Sequence, residues 1–232
     1  MTSRRYPWLV VALLWVVACL NYLDRQVIFS VFPLIRTEMA LDDFRLGLLS
    51  TVFLWVYGFA SPFGGYLSDR AGRKKVLVLS LAIWTTMTLA TGYARNFEQL
   101  VITRALMGLS EACYLPAALA LIAELHEKGS RSLATGLHQT GLYAGMALGG
   151  LVGGGMGERE GWRSPFILLG MIGLAYAAVL LTGLRRDAPV TSNGGGPGRV
   201  GVSLVEVLRL PGYPGMLAAF TALSSVMNVE YA

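Results

Sequence analysis

Gly65-Tyr66-Leu67-Ser68-Asp69-Arg70-Ala71-Gly72-Arg73-Lys74-Lys75 joins two long apolar runs, roughly 45–67 and 76–94. Its glycines let the backbone reverse tightly between two helices. Its charges, Asp69, Arg70, Arg73, Lys74 and Lys75, are too costly to leave in hydrocarbon and hold the reversal at an aqueous surface. Each flanking run matches the length of about 20 apolar residues that a helix needs to cross a bilayer. The same alternation continues in both directions. Further runs lie at roughly 7–32, 99–124, 133–156, 163–184 and 213–232. All are expected to be helical, because an open strand in lipid leaves backbone groups without partners.

Composition agrees. Of 232 residues 54% are hydrophobic and 14% charged, against about 25% charged in an ordinary soluble domain. The net charge of +5 does not indicate nucleic acid, since the basic residues are spread over short loops rather than gathered on one face. Cys19 and Cys113 both fall inside apolar runs, so neither a disulfide nor a metal site is expected. Arg4 and Arg5 before an apolar stretch ending at Cys19 suggest a lipoprotein signal, but the run continues to Val31 and five more follow. The expected organisation is a six-helix membrane bundle over 1–184, a cytoplasmic linker over 185–212 containing Ser192-Asn193-Gly194-Gly195-Gly196-Pro197-Gly198, and the start of a seventh helix over 213–232. Within the linker, Ser203 to Leu210 has the pattern of a short amphipathic helix stopped by Pro211. With the amino terminus in the cytoplasm, twelve of the nineteen Lys and Arg residues fall in inner loops, five in outer loops, and Arg25 and Arg104 inside spans. That imbalance orients the chain.

The quoted turn resembles the signature of the major facilitator superfamily, G-x-L-x-D-R-x-G-R-K, and meets every fixed position with Gly65, Leu67, Asp69, Arg70, Gly72, Arg73 and Lys74. The resemblance implies an all-α integral membrane fold of twelve helices in two halves, with substrate bound near midplane between them. This chain then supplies the six-helix amino-terminal bundle plus a truncated seventh helix, and needs a carboxy-terminal half or a second copy. The same resemblance makes Gly65, Asp69, Arg70, Gly72 and Arg73 a conformational latch, with Asp69 capping a helix of the other half. Asn21-Tyr22-Leu23-Asp24-Arg25 and Arg104-Ala105-Leu106-Met107-Gly108-Leu109-Ser110-Glu111-Ala112 look like the organic-anion symporter branch and the related spinster-like branch. A proton-coupled symporter of a small organic anion in the cell membrane is the leading expectation. The alternatives are a spinster-like carrier of lipids or amphiphiles and a non-transporting remnant.

The residues argue for transport without the family. Asp24, Arg25, Arg104 and Glu111 are ionisable groups inside spans and must face one another or water. Glu111 stands seven residues after Arg104, two helical turns on, so both point the same way. Asp24 and Glu111 are the expected proton-coupling pair, and Arg25 or Arg104 the attraction for an anion. Tyr22, Tyr57 and Tyr143 are candidate cavity liners, and His138 and Gln139 candidate contacts to a polar substrate. Gly141, Gly145, Gly149, Gly150, Gly153 and Gly157 suggest a helix-packing seam. Gly141 to Gly150 resembles the superfamily's antiporter motif with Met146 in place of its proline, which favours symport or uniport over exchange. No nucleophile elbow, metal cluster or phosphate loop occurs in the aqueous segments, so neither an enzyme nor a cofactor is expected.

Overall fold

The computed structural model describes residues 5–184. The linker, its amphipathic helix and the seventh span expected over 185–232 lie outside them. Seven helices follow in order: α1 (Tyr6–Met39), α2 (Asp43–Ala71), α3 (Arg73–Gly92), α4 (Phe97–Glu111), α5 (Tyr114–Leu125), α6 (Lys128–Glu160) and α7 (Arg163–Gly183). No strand occurs among the described residues. The helix starts are coded locally. Asp42 accepts the Arg45 N–H at 2.8 Å ahead of α2, and Asn96 accepts the Gln99 N–H at 2.9 Å ahead of α4. Gly72 turns α2 into α3 with φ 92°, a conformation that side chains resist.

Two helices depart from the expected runs. The fourth run is one span by length and apolarity, Phe97–Leu125, but it breaks after Glu111 into α4 and α5. Pro116 explains the break. It has no N–H to offer the Ala112 carbonyl four residues back, and its ring crowds that carbonyl. The freed carbonyl points at α2, where a side chain at Gly64 would stand 2.6 Å from it. Gly64, not the motif's Gly65, therefore permits this approach, since a Cβ on Gly65 meets nothing closer than Pro116 at 3.8 Å.

The second departure is α6. Five segments, α1, α2, α3, α4–α5 and α7, are long and apolar enough to cross a membrane. Helix α6 misses that composition because its glycines, His138 and Gln139 dilute it. Packing makes it the sixth span. Gly141, Gly145, Gly149, Gly153 and Gly157 face Trp15, Cys19, Leu23, Val27 and Val31 of α1 in strict succession. Both partners advance by four residues, so the two helices run parallel with i±4 ridges meshed, and backbone lies almost against backbone. Gly150, by contrast, meets nothing within 4 Å and belongs to the opposite face, which corrects its assignment to the seam.

Buried apolar side chains form two clusters. One gathers Val10 to Ala18 of α1 with Leu77, Leu81, Trp84, Tyr114 and Leu121; the other gathers Leu23 to Ile35 with Leu49, Leu100, Trp162 and Phe166. Asn21, Asp24, Thr88 and Arg104, all buried, fall where one cluster gives way to the other. Outside, Trp55, Phe59 and Phe63 of α2 are 64%, 70% and 73% exposed, an aromatic face that water would not tolerate and lipid or protein covers.

Replacing Gly145 by Val should force α1 and α6 apart and destabilise the bundle by about 1–3 kcal/mol. The same change at Gly150 should stay within about 0.5 kcal/mol. Thermal unfolding of the detergent-solubilised variants compares them, and equal losses at both positions would refute the one-sided seam.

Candidate functional site

The polar layer is assembled from four helices. Helix α1 contributes Asn21, Tyr22, Asp24 and Arg25, α2 contributes Phe53 and Tyr57, α3 contributes Thr88, and α4 contributes Arg104 and Glu111. Gly108 lets α4 approach α2 here: a Cβ on it would sit 2.7 Å from the Phe53 carbonyl. Glycine at that point thus brings Glu111 within reach of α1 and α2.

The centre is an ion pair. Arg25 Nε donates to Glu111 Oε2 at 2.7 Å, with the Glu111 side chain fully buried and Arg25 17% exposed. A bare carboxylate at that depth would be prohibitive, so the pair holds only because the guanidinium is present. Three rings enclose that guanidinium. Its carbon lies 5.0 Å from the Tyr22 ring centre, 4.9 Å from Phe53 and 4.4 Å from Tyr57, all in cation–π range. Phe53 and Tyr57 stack on each other at i, i+4. Phe53 was not among the residues singled out from sequence, although its spacing from Tyr57 is the signal that reveals it.

Asp24 lies beside this pair, with Glu111 and Arg104 as its electrostatic neighbours. Its Oδ2 accepts the Thr88 hydroxyl at 3.1 Å. Thr88 is fully buried on a span whose sequence reads as plain apolar helix, so nothing in the sequence pointed to it. Arg104 is 2% exposed and lies over the Phe166 ring at 5.7 Å. Several buried atoms have no hydrogen-bond partner among the described residues: Asn21 Nδ2, Asp24 Oδ1, Glu111 Oε1, and Nε and Nη2 of Arg104. Two carboxylates and two guanidiniums therefore share one layer with only one direct ion pair between them.

The structure keeps His138 apart from this group, and Gln139 Oε1 is buried without a partner among the described residues. The Tyr114 hydroxyl lies 2.9 Å from the Leu14 carbonyl and 2.9 Å from His138 Nε2. A hydroxyl has one proton, and the carbonyl can only accept, so His138 Nε2 carries the hydrogen and donates to Tyr114. His138 thus ties α6 to α5 and α1 ten residues below Asp24 along α1. Tyr143 is 68% exposed. No group of three or more His, Cys, Asp and Glu residues arranged for a metal occurs among the described residues.

At the charged turn, Asp69 is 72% exposed and only 3.9 Å from Arg73, a long, weak pair. Arg73 instead anchors the turn to α5, donating to the Ala120 carbonyl at 3.1 Å and to Glu124. Arg70 folds over the Tyr66 ring at 4.8 Å.

Comparison with known proteins locates this architecture. The family described as Major Facilitator Superfamily matches residues 14–231. Protein spinster homolog 3 of Danio rerio is 34% identical over 201 residues, covering 83% of this chain and 40% of that protein. The 4-hydroxybenzoate transporter PcaK of Pseudomonas putida is 33% identical over 184 residues, covering 79% and 41%. A bacterial homolog to the human lysosomal transporter Spinster, crystallised inward-facing and unoccupied, superposes with a TM-score of 0.77 at 26% identity, covering 89% of this chain and 49% of that one. The chain thus spans about two fifths of the length of the curated relatives it matches.

Removing one partner of the buried pair should cost far more than removing both charges. Arg25→Gln alone should destabilise by about 3–5 kcal/mol, and adding Glu111→Gln should recover most of it. A double-mutant cycle by denaturant unfolding in mixed micelles measures the coupling; additive losses would mean that the pair is not an energetic unit.

Proposed function

This chain belongs to the major facilitator superfamily, and from that membership we propose that its six spans are the amino-terminal half of a proton-coupled carrier of a small organic anion. The observation that carries the reading is the Arg25–Glu111 pair with Asp24 and Arg104 beside it, all within membrane spans. A bundle that merely had to be stable would gain by replacing such a pair with apolar side chains. Retaining it makes sense where its charge state changes during the work. A proton reaching Glu111 abolishes the attraction that holds Arg25. The freed guanidinium then faces an anion, and it is the member of the pair with access to the open side of the bundle. Arg104 adds a second positive charge with donors to spare. Asp24 is the second carboxylate on which the same exchange can run.

Three observations favour an aromatic or carboxylic anion as cargo. Tyr22, Phe53 and Tyr57 form walls on which a flat ring stacks, and Arg25 supplies the counter-charge for its carboxylate. One relative is a transporter of 4-hydroxybenzoate, a molecule of this kind. The second reading, an amphiphile with an anionic head, draws on the spinster relatives and on the same combination of rings and cation. In either case the substrate site is completed by the other half of the carrier.

Orientation follows the charge count, with the Gly72 turn and the amino terminus in the cytoplasm. Asp69, exposed at that surface, is free to cap a helix of the other half and latch it.

Uptake into proteoliposomes under an inward proton gradient tests the proposal on the complete carrier, with labelled 4-hydroxybenzoate and lysophospholipid as competing cargoes. Glu111→Gln should cut gradient-driven accumulation of the anion by about 10- to 100-fold, the range of a lost charged hydrogen bond. Downhill exchange should persist. Unchanged accumulation would remove Glu111 from the coupling mechanism, and uptake of the lysolipid alone would select the second reading.

A further inference from the structure

Asp24 has a hydrogen-bond partner that neither the family signature nor the ion-pair argument uses. Thr88 Oγ1 lies 3.1 Å from Asp24 Oδ2 and also 3.1 Å from the carbonyl of Trp84, one turn back on α3. Both neighbours are oriented to accept, and a threonine hydroxyl owns a single proton. It therefore cannot serve both at once. Which one it serves is fixed by what Asp24 carries. While Asp24 is ionised, the hydroxyl donates to the carboxylate, and the Trp84 carbonyl makes do with its helical bond. When Asp24 holds a proton, its own O–H needs an acceptor, and the Thr88 oxygen is the one in reach. The Thr88 hydrogen then turns to Trp84. The Thr88 hydroxyl and the Asp24 oxygen facing it keep a partner in both states, and the only motion is rotation of one C–O bond.

We propose that Thr88 is a positioning residue for proton coupling, a reversible donor and acceptor that lets the buried Asp24 carboxyl exist in both protonation states without rearranging the bundle. The inference rests on the reading of Asp24 as a coupling residue. Its surroundings support the selectivity of the arrangement. Thr88 and Asp24 are 0% and 1% exposed, so water does not stand in for the hydroxyl. The charged groups that act on Asp24 all come from α4, Glu111 and Arg104, with Arg25 of α1 engaged to Glu111. Helix α3 brings no charge to Asp24; it brings this hydroxyl and, one turn back, the buried indole N–H of Trp84. Thr88 makes the one close hydrogen bond to this carboxyl among the described residues, since Oδ1 has no partner there.

Infrared difference spectroscopy of the chain in proteoliposomes, titrated with acid, reads the arrangement without needing a substrate. The carbonyl stretch of protonated Asp24 is the band that vanishes in Asp24→Asn. Thr88→Val keeps the shape of the side chain but removes the hydroxyl. It should displace the midpoint of that band, because the carboxylate loses its donor and the acid its acceptor to unequal extents. It should also move the band to higher wavenumber, because the acid O–H loses its acceptor. Thr88→Ser should reproduce the native midpoint and frequency, which a loss of packing alone would not allow. A native midpoint and frequency in Thr88→Val overturn the relay while leaving Asp24 as the proton acceptor. A titration in which Asp24→Asn removes no band overturns the coupling role of Asp24, and the relay with it.

Discussion

A guanidinium and a carboxylate inside a bilayer must find each other, and the rest of this bundle is arranged around that requirement. The Arg25–Glu111 contact at 2.7 Å links α1 to α4. Gly108 sets how near α4 comes to α2, and Phe53 and Tyr57 of α2 then cover the arginine from the other side. Substituting any of these three elements changes the surroundings of an ion pair whose carboxylate is fully buried. Apolar contacts above and below tolerate exchange of one hydrophobe for another far better. The two buried clusters accordingly act as insulation for the layer between them, raising the strength of every electrostatic interaction inside it.

Much of this was legible in the sequence, for physical reasons that differ by feature. Span positions are dictated by bilayer thickness, so the apolar runs located α2, α3 and α7 closely, while α1 runs on to Met39, past the expected end near residue 32. The four-residue glycine spacing announced a seam, and the structure shows that α1 answers it residue by residue from Trp15 to Val31. Gly150 misled because adjacent glycines look alike in sequence, while consecutive helical residues point about 100° apart. The break after Glu111 was encoded in Pro116 but hidden by an unbroken apolar run. Ionisable residues in spans pointed to the polar layer that the structure assembles, since lipid leaves so few reasons for them. Phe53 and Thr88 escaped notice because an aromatic or a threonine in a span is ordinary until its neighbour across the helix interface is known. His138 shows the converse: a polar residue in a span that a tyrosine and a carbonyl account for locally.

The parallel packing of α1 on α6 has a mechanical consequence. Backbone contact repeated over five glycines leaves no soft layer of long side chains between the two helices. Rocking motions in this fold therefore have little freedom to run through that interface, and α1 carries its Asp24 and Arg25 on a rigid pair. The fourth span is different in kind. Its helix is interrupted between the residue that pairs with Arg25 and the residue that bonds His138, and the Ala112 carbonyl there has no proline N–H to hold it. The break is closed by turn hydrogen bonds from Ala112 N–H to Gly108 and from Cys113 N–H to Ser110, and its cause is Pro116.

These two properties meet at Glu111. It is the last residue of α4, held from one side by the rigid pair through Arg25 and followed on the other by the broken span. A change in the charge of Glu111 alters the force between α1 and the end of α4, and α5 follows at once in the chain, bonded to Arg73 of the charged turn through Ala120 and Glu124. The turn that marks the family and the ion pair that marks the site are thus linked through the fourth span: Glu111 closes α4, and α5, beyond the break, accepts Arg73 at Ala120 and Glu124.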